Sequence, residues 1–253
     1  MNIVVFDTET TSLDKPFCYN IGYVIANVET RKILVKRDFV VEQIWHNLPL
    51  FSTAYYAEKR ELYVSAMRGK RAILDKFGYI CRQMTRDFTA HNVEIAFAYN
   101  SPFDDKVFTY NCDWYKCNNP FDTIPIVDIR GFAHNFIVDE YYKGYCEIHK
   151  LFTETGNYST TAESIYKYIT NNEMFKEEHT ALADSEIELQ ILFVCLDKGA
   201  SINSEYQVYR SIDRECRQVF SVTDKKTKEV LFQSVCTKVR YDRKNGRVEI
   251  TTP

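Results

Sequence analysis

Near its start the chain carries an apolar run, Ile3-Val-Val-Phe6, that stops at Asp7, with Glu9 two residues on. Alternate residues of a strand point to one face, so Asp7 and Glu9 present their carboxylates together. The C-terminal ends of strands are where α/β sheets build sites. Two adjacent carboxylates both ionise only with positive charge between them. A hard divalent cation such as Mg²⁺ suits that place.

A second acid sits in Asn100-Ser-Pro-Phe-Asp104. Ser101 is expected as N-cap and Pro102 at the first helical position. Asp104 then falls in the first turn, where the helix dipole favours negative charge; Asp105 is its immediate neighbour. The third stretch is His179-Thr-Ala-Leu-Ala-Asp184. A five-residue separation puts two helical side chains on different faces. His179 and Asp184 converge only if His179 lies on the loop entering the helix. His134 and Asp139 share that spacing. His179 and Asp184 are preferred because small residues separate them and a long apolar helix follows.

These residues need a scaffold. Asn2–Asp7, Ile21–Val28, Ile33–Val41, Val93–Tyr99 and Thr123–Asp128 read as five strands, with 42–64 irregular and aromatic between them. Val64–Arg86 carries Ala66, Ile73, Leu74, Phe77 and Ile80 at helical spacing. Thr160–Ile169 reads as a helix with a capping box, Thr160 at the N-cap and Glu163 three residues on. Ala181–Leu196 is apolar around most of its circumference and is expected at the centre, with Gly199 ending it. Beyond residue 200, Val219–Val222, Val230–Val235, Lys238–Asp242 and Val248–Thr251 are strand-like, and Asn245-Gly246 is a hairpin signal. That region holds eleven Lys/Arg against seven Asp/Glu over 205–253.

A chain of 253 residues with net charge −3 lacks the strong basicity of a protein that coats duplexes. Any nucleic acid would be held locally, in a groove or at an end. No signal peptide or membrane span is legible, so a soluble, cytoplasmic protein (host cytoplasm, if viral) is expected. Eight cysteines in that setting are expected to be reduced thiols. Cys112, Cys117, Cys146 and His149 have permissive zinc-ligand spacing, yet ordinary thiols are the better reading.

In order, Asp7-x-Glu9, Asn100-x-x-Phe-Asp104 and His179-x-Ala-x-x-Asp184 resemble the motif set of the DEDDh 3′→5′ exonucleases, a ribonuclease H-like group. The resemblance covers residues 1–198, and the segment TTAESIYKYI resembles the helix before the family's last motif. It implies an α/β fold with a five-stranded mixed sheet, order 3-2-1-4-5, flanked by helices. It implies that Asp7, Glu9, Asp104 and Asp184 hold two divalent ions, Mg²⁺ or Mn²⁺, with Asp7 bridging, and that His179 is the general base. Thr10, Leu13 and Asn100 would meet the terminal nucleotide. Ser12 stands where members of the family often have glycine.

The implied activity is metal-dependent hydrolysis from a nucleic-acid 3′ end, single-stranded DNA favoured and RNA possible, releasing nucleoside 5′-monophosphates. Residues 1–200 would form the exonuclease domain and 201–253 a β-rich extension. Tyr55, Tyr56, Tyr63, Lys59 and Arg60 could stack bases and touch phosphates, though a core-facing helix is the plainer reading. Two other functions compete. One is a proofreading or repair subunit whose extension docks a partner or forms a homodimer. The other is an inactive nucleic-acid-binding module, disfavoured because every expected ligand and the base are present.

Overall fold

In the computed structural model, residues 1–202 are described in full, and beyond them the backbone of five strands between Tyr206 and Thr251. The run Ile3–Phe6 is wholly buried at the centre of β1 (Asn2–Thr10). A strand apolar on both faces needs cover on both, and β1 has it. β2 (Cys18–Asn27) pairs with it antiparallel, β5 (Val93–Ala98) pairs parallel, and helices lie over the sheet. β1 runs three residues past the expected end at Asp7. Asp7 therefore lies opposite Gly22 and Glu9 opposite Asn20, inside the ladder.

β3 (Ile33–Val41) continues the sheet beside β2, and β6 (Ile126–Asp128) closes the other edge beside β5. The five strands expected from the sequence keep the expected order. A sixth strand, β4 (Ile73–Asp75), corrects the count: it adds a parallel edge next to β3, giving β4-β3-β2-β1-β5-β6. It also breaks the single helix expected over Val64–Arg86. α3 (Arg60–Arg68) stops at Gly69, and Lys70 takes a left-handed backbone with φ 56°. The chain then enters β4 before α4 (Phe77–Ala90) begins. Before α3, the segment expected to be irregular folds as α1 (Glu42–Trp45), α2 (Leu48–Phe51) and a 3₁₀ turn at Ala57–Lys59.

α5 (Ser101–Tyr115) starts one residue earlier than expected. Its N-cap is Asn100, left-handed at φ 63°, and Pro102 falls at the second position. α6 (Ile129–Phe136) and α7 (Glu140–His149) follow β6. His134 sits in the last turn of α6, while Asp139 caps α7 by accepting the Tyr142 N–H at 2.9 Å. That second His/Asp pair therefore has a structural role for its acid. α8 (Ala162–Thr170) is capped by Thr161, not Thr160, through the Ser164 N–H at 3.2 Å. Glu163 instead accepts from Lys167 and from the Glu177 N–H.

α9 (Ala181–Asp197) crosses β2 in backbone contact. A Cβ on Gly22 would fall 2.0 Å from the Leu182 nitrogen, so only glycine admits the helix there. Ser185 donates to the Gly22 carbonyl at 3.1 Å, and the buried Asn20 accepts the Ala181 N–H at 2.8 Å. Asn20 is held in turn by donating to Asp38 at 2.6 Å and to the Phe39 carbonyl. No helix among the described residues is long and apolar enough to cross a membrane.

Ser201–Pro253 forms a second compact unit. β7 (Tyr206–Ile212), β8 (Gln218–Asp224) and β9 (Val230–Val235) make an antiparallel sheet. β10 (Lys238–Asp242) pairs antiparallel with β11 (Arg247–Thr251). β7 has no counterpart in the strands expected from the sequence. The Asn245-Gly246 signal lies outside the described residues.

Candidate active site

Three elements bring acids together at the C-terminal end of β1. Asp7, Glu9 and Asp184 each place a carboxylate oxygen within 4.8 Å of the others. Asp184 lies in the first turn of α9, which Gly22 and Asn20 seat directly over β2. Asp104, 2% exposed, lies in the first turn of α5 and accepts the Thr8 hydroxyl at 2.6 Å. It stands outside the tight trio but within its field: it raises the Glu9 pKa, and Asp7 raises its own.

The electrostatics describe a site short of positive charge. Burial pushes Asp7 up to about 7. Burial and then Asp7 push Glu9 up to about 9, against Lys59 and a Tyr19 hydroxyl that donates at 3.4 Å. Burial, Asp7 and Glu177 push Asp184 up to about 10. Asp104 lies well above the carboxylate range, first through burial. One buried oxygen of Asp184, Oδ1, has no hydrogen-bond partner. Burying an unpaired carboxylate is costly unless something pairs it or coordinates it. A cluster of hard oxygen donors with an orphaned atom fits a divalent cation; Asp7, Glu9 and Asp184 are placed to hold one, with Asp104 beside them.

His179 lies just before α9 with a left-handed backbone at φ 53°, on the loop entering the helix. Its ring stacks on Tyr56 at 4.4 Å and 12°. Its Nδ1 lies 3.5 Å from Glu177 Oε2, and Glu163, Glu177 and His179 form a second close group. Burial, then Lys59, lowers its pKa, favouring the neutral ring. Glu177 is pushed up to about 7 by burial and by Asp7, which ties the two groups electrostatically. Lys59 lies 4.3 Å over the Tyr56 ring and donates to the Glu178 carbonyl at 2.6 Å.

The other candidates are spread out. Thr10 ends β1 and donates to the Ser12 carbonyl at 3.3 Å. Ser12 has an ordinary negative φ, so its loop does not need glycine. Leu13 is 75% exposed, and its carbonyl accepts from Lys106. Asn100 is exposed, and its backbone N–H donates to Asp128 at 2.8 Å. The aromatic stretch divides: Tyr63 is buried, Tyr55 is exposed, Tyr56 supports His179, and Arg60 stacks over Trp45. The four-ligand grouping of Cys112, Cys117, Cys146 and His149 does not assemble. Cys112 and Cys117 meet Cys81 instead, because α5 packs beside α4, while His149 faces Glu173 at 3.4 Å.

Sequence reasoning missed Glu188, one turn beyond Asp184 and 3% exposed. It accepts the Tyr99 N–H at 3.2 Å, and burial plus Asp7 raises its pKa strongly. The available signal was an acid four residues after Asp184, on the same face of the helix. Asn20, Gly22 and Glu177 were missed too, since their roles exist only in the folded chain.

Solved structures share this fold. A 3′-exonuclease described in its recognition of the histone mRNA stem-loop 3′ end matches with TM-score 0.54 at 13% identity, over 82% of this chain and 87% of that one. The nuclease domain of 3′hExo, a DEDDh family member bound to rAMP, matches with TM-score 0.51 at 14% identity, over 78% and 92%. E. coli Exonuclease I with a 5cy-dT13 oligonucleotide matches with TM-score 0.51 at 14% identity, over 78% of this chain and 40% of that one. The fold is the one these 3′-exonucleases share. No protein-family model and no curated protein matches the sequence.

Proposed function

We propose that this chain is a metal-dependent 3′→5′ exonuclease that releases nucleoside 5′-monophosphates, with residues 1–200 as its catalytic domain. The observation that carries this reading is the convergence of Asp7, Glu9 and Asp184 within 4.8 Å, with Asp104 in their field, on this fold. Asp7, Glu9, Asp104 and Asp184 hold two divalent ions, Mg²⁺ or Mn²⁺. When bound, such a pair supplies a hydroxide nucleophile and neutralises charge on the phosphate.

His179 takes the proton of the attacking water. Its lowered pKa keeps the ring neutral, as a base must be. Glu177 faces Nδ1 and so leaves Nε2 as the accepting atom. Tyr56 fixes the ring plane by stacking. Lys59, which acts on Glu9, Asp184 and Glu177, offers the approaching phosphate a cation. Exposed Leu13 and the loop after Thr10 receive the terminal nucleotide, together with Asn100 at the entry to α5.

The matched enzymes are described with an RNA stem-loop, rAMP and a DNA oligonucleotide, which supports a nucleic-acid 3′ end as substrate. The test is degradation of 5′-labelled single-stranded DNA, RNA and matched duplexes with Mg²⁺, Mn²⁺ or EDTA. The expected result is a ladder shortening from the 3′ end, strongest on single-stranded DNA, and abolished by EDTA. No cleavage of any polymer by metal-loaded protein would overturn the reading. The separate, basic-leaning unit 201–253 supports a second role, docking a protein partner or a second copy. Size-exclusion chromatography with light scattering on the full chain tests the homodimer.

A further inference from the structure

We propose that Cys81, Cys112 and Cys117 form a trithiolate site for one thiophilic d¹⁰ cation, Zn²⁺, separate from the carboxylate cluster. The three sulfurs lie within 4.8 Å of one another. They come from two elements: Cys81 from α4, Cys112 from the last turn of α5, and Cys117 from the residue after the left-handed Lys116. The Cys117 N–H donates back to the Cys112 carbonyl at 3.1 Å, and this turn brings the thiol after α5 round to the one within it.

A Zn–S bond of about 2.3 Å sets three thiolates roughly 3.8 Å apart. Loading therefore draws these sulfurs together by no more than about 1 Å, within the reach of side-chain rotation. Cys81 and Cys112 are buried and Cys117 is half-buried, so the group meets solvent on one side. Gly78 borders that side. A Cβ there would touch only Cys117, at 3.4 Å from its Cβ and 3.9 Å from its sulfur, so its absence leaves room beside the thiols. The fourth position is then open to water. Binding releases three thiol protons to solvent and leaves a complex of charge −1. Arg82 faces Cys117 and offsets that charge, while Asp113 and Asp122 face Cys112 and oppose it. The ion would pin the end of α5, whose first turn carries Asp104, to α4.

The test uses the reduced full-length chain titrated with Cd²⁺ in excess Mg²⁺, reading the ultraviolet thiolate-to-metal absorbance. We expect one equivalent of Cd²⁺ bound, displaced by Zn²⁺ and unaffected by Mg²⁺. Cys112→Ser and Cys117→Ser should each weaken binding at least about 100-fold, the upper end of what loss of a mere outer-shell partner costs. The double variant Cys216→Ser/Cys236→Ser should retain it. Absence of the band in the reduced chain, or its persistence in both single variants, would overturn the proposal. A measurement on the unmutated chain guards against misfolded variants: Zn²⁺ should protect Cys112 and Cys117 from alkylation, and equal labelling with and without Zn²⁺ would also overturn it.

Discussion

Two groups of buried acid show opposite solutions to the same cost. Asp87, on α4, is buried and fully answered. It accepts the Tyr23 hydroxyl at 2.8 Å, Arg37 Nε at 3.0 Å and Gln83 Nε2 at 2.8 Å. Asp104 and Asp184, beside the end of β1, are as deep, yet Asp184 Oδ1 is orphaned and its neighbours are mostly other acids. Partnered acids hold a fold together. Acids left to repel one another are where the proposed cations would be held.

The largest effect expected from this contrast is on activity. Asp7→Ala and Asp184→Ala should each abolish detectable degradation while leaving the far-ultraviolet circular dichroism unchanged. Full turnover by either would remove these acids from the chemistry. Next is His179→Ala, expected to slow single-turnover cleavage by roughly 10²–10⁴ with little change in metal affinity. Turnover near that of the unmodified chain would strip the ring of its role as base.

The mirror experiment is Asp87→Ala. It leaves the Tyr23 hydroxyl buried without its acceptor and should cost about 2–3 kcal/mol in denaturant unfolding, tempered because Arg37 is partly exposed. Cleavage per folded molecule should be unchanged, and a selective loss of kcat would blur the distinction between the two acid groups.

The smallest effect is on pH-dependent stability without metal. Asp7 near 7, Glu9 near 9 and Asp184 near 10 all lie above the ordinary carboxylate range, so the folded chain binds more protons than the unfolded. Their contribution is complete below about pH 4 and is lost as pH rises through those values. Chelator-treated protein should melt lower at pH 9 than at pH 6, by about 3 °C for each kcal/mol lost. Saturating Mg²⁺ should narrow the gap. A higher melting point at pH 9 in EDTA would contradict the assigned repulsion.

Much of the scaffold was legible because it rests on local rules. Alternation along β1, the apolar circumference of α9 and the strand order around them all follow from periodicity and from the family resemblance. Boundaries were less so. Thr161 rather than Thr160 caps α8, because either hydroxyl satisfies the same local rule and tertiary contacts choose between them. β4 was hidden because Ile73, Leu74, Phe77 and Ile80 fall at helical spacing although a turn at Gly69–Lys70 separates two elements. At the site, Asp7 and Glu9 announce themselves by ending an apolar run. Asn20 and Gly22 do not, since nothing local marks residues whose hydrogen-bond partners on α9 lie 161 and 163 positions away.

That separation has a consequence for biosynthesis. The Asn20–Ala181 hydrogen bond spans 161 residues, and Asp184 lies three further on. Synthesis proceeds from the N-terminus, and distant contacts close late because the loop entropy must be met first. The carboxylate cluster therefore cannot exist on any nascent chain until Asp184 has cleared the ribosome. A prematurely terminated product, however well its first strands pair, carries no assembled carboxylate cluster.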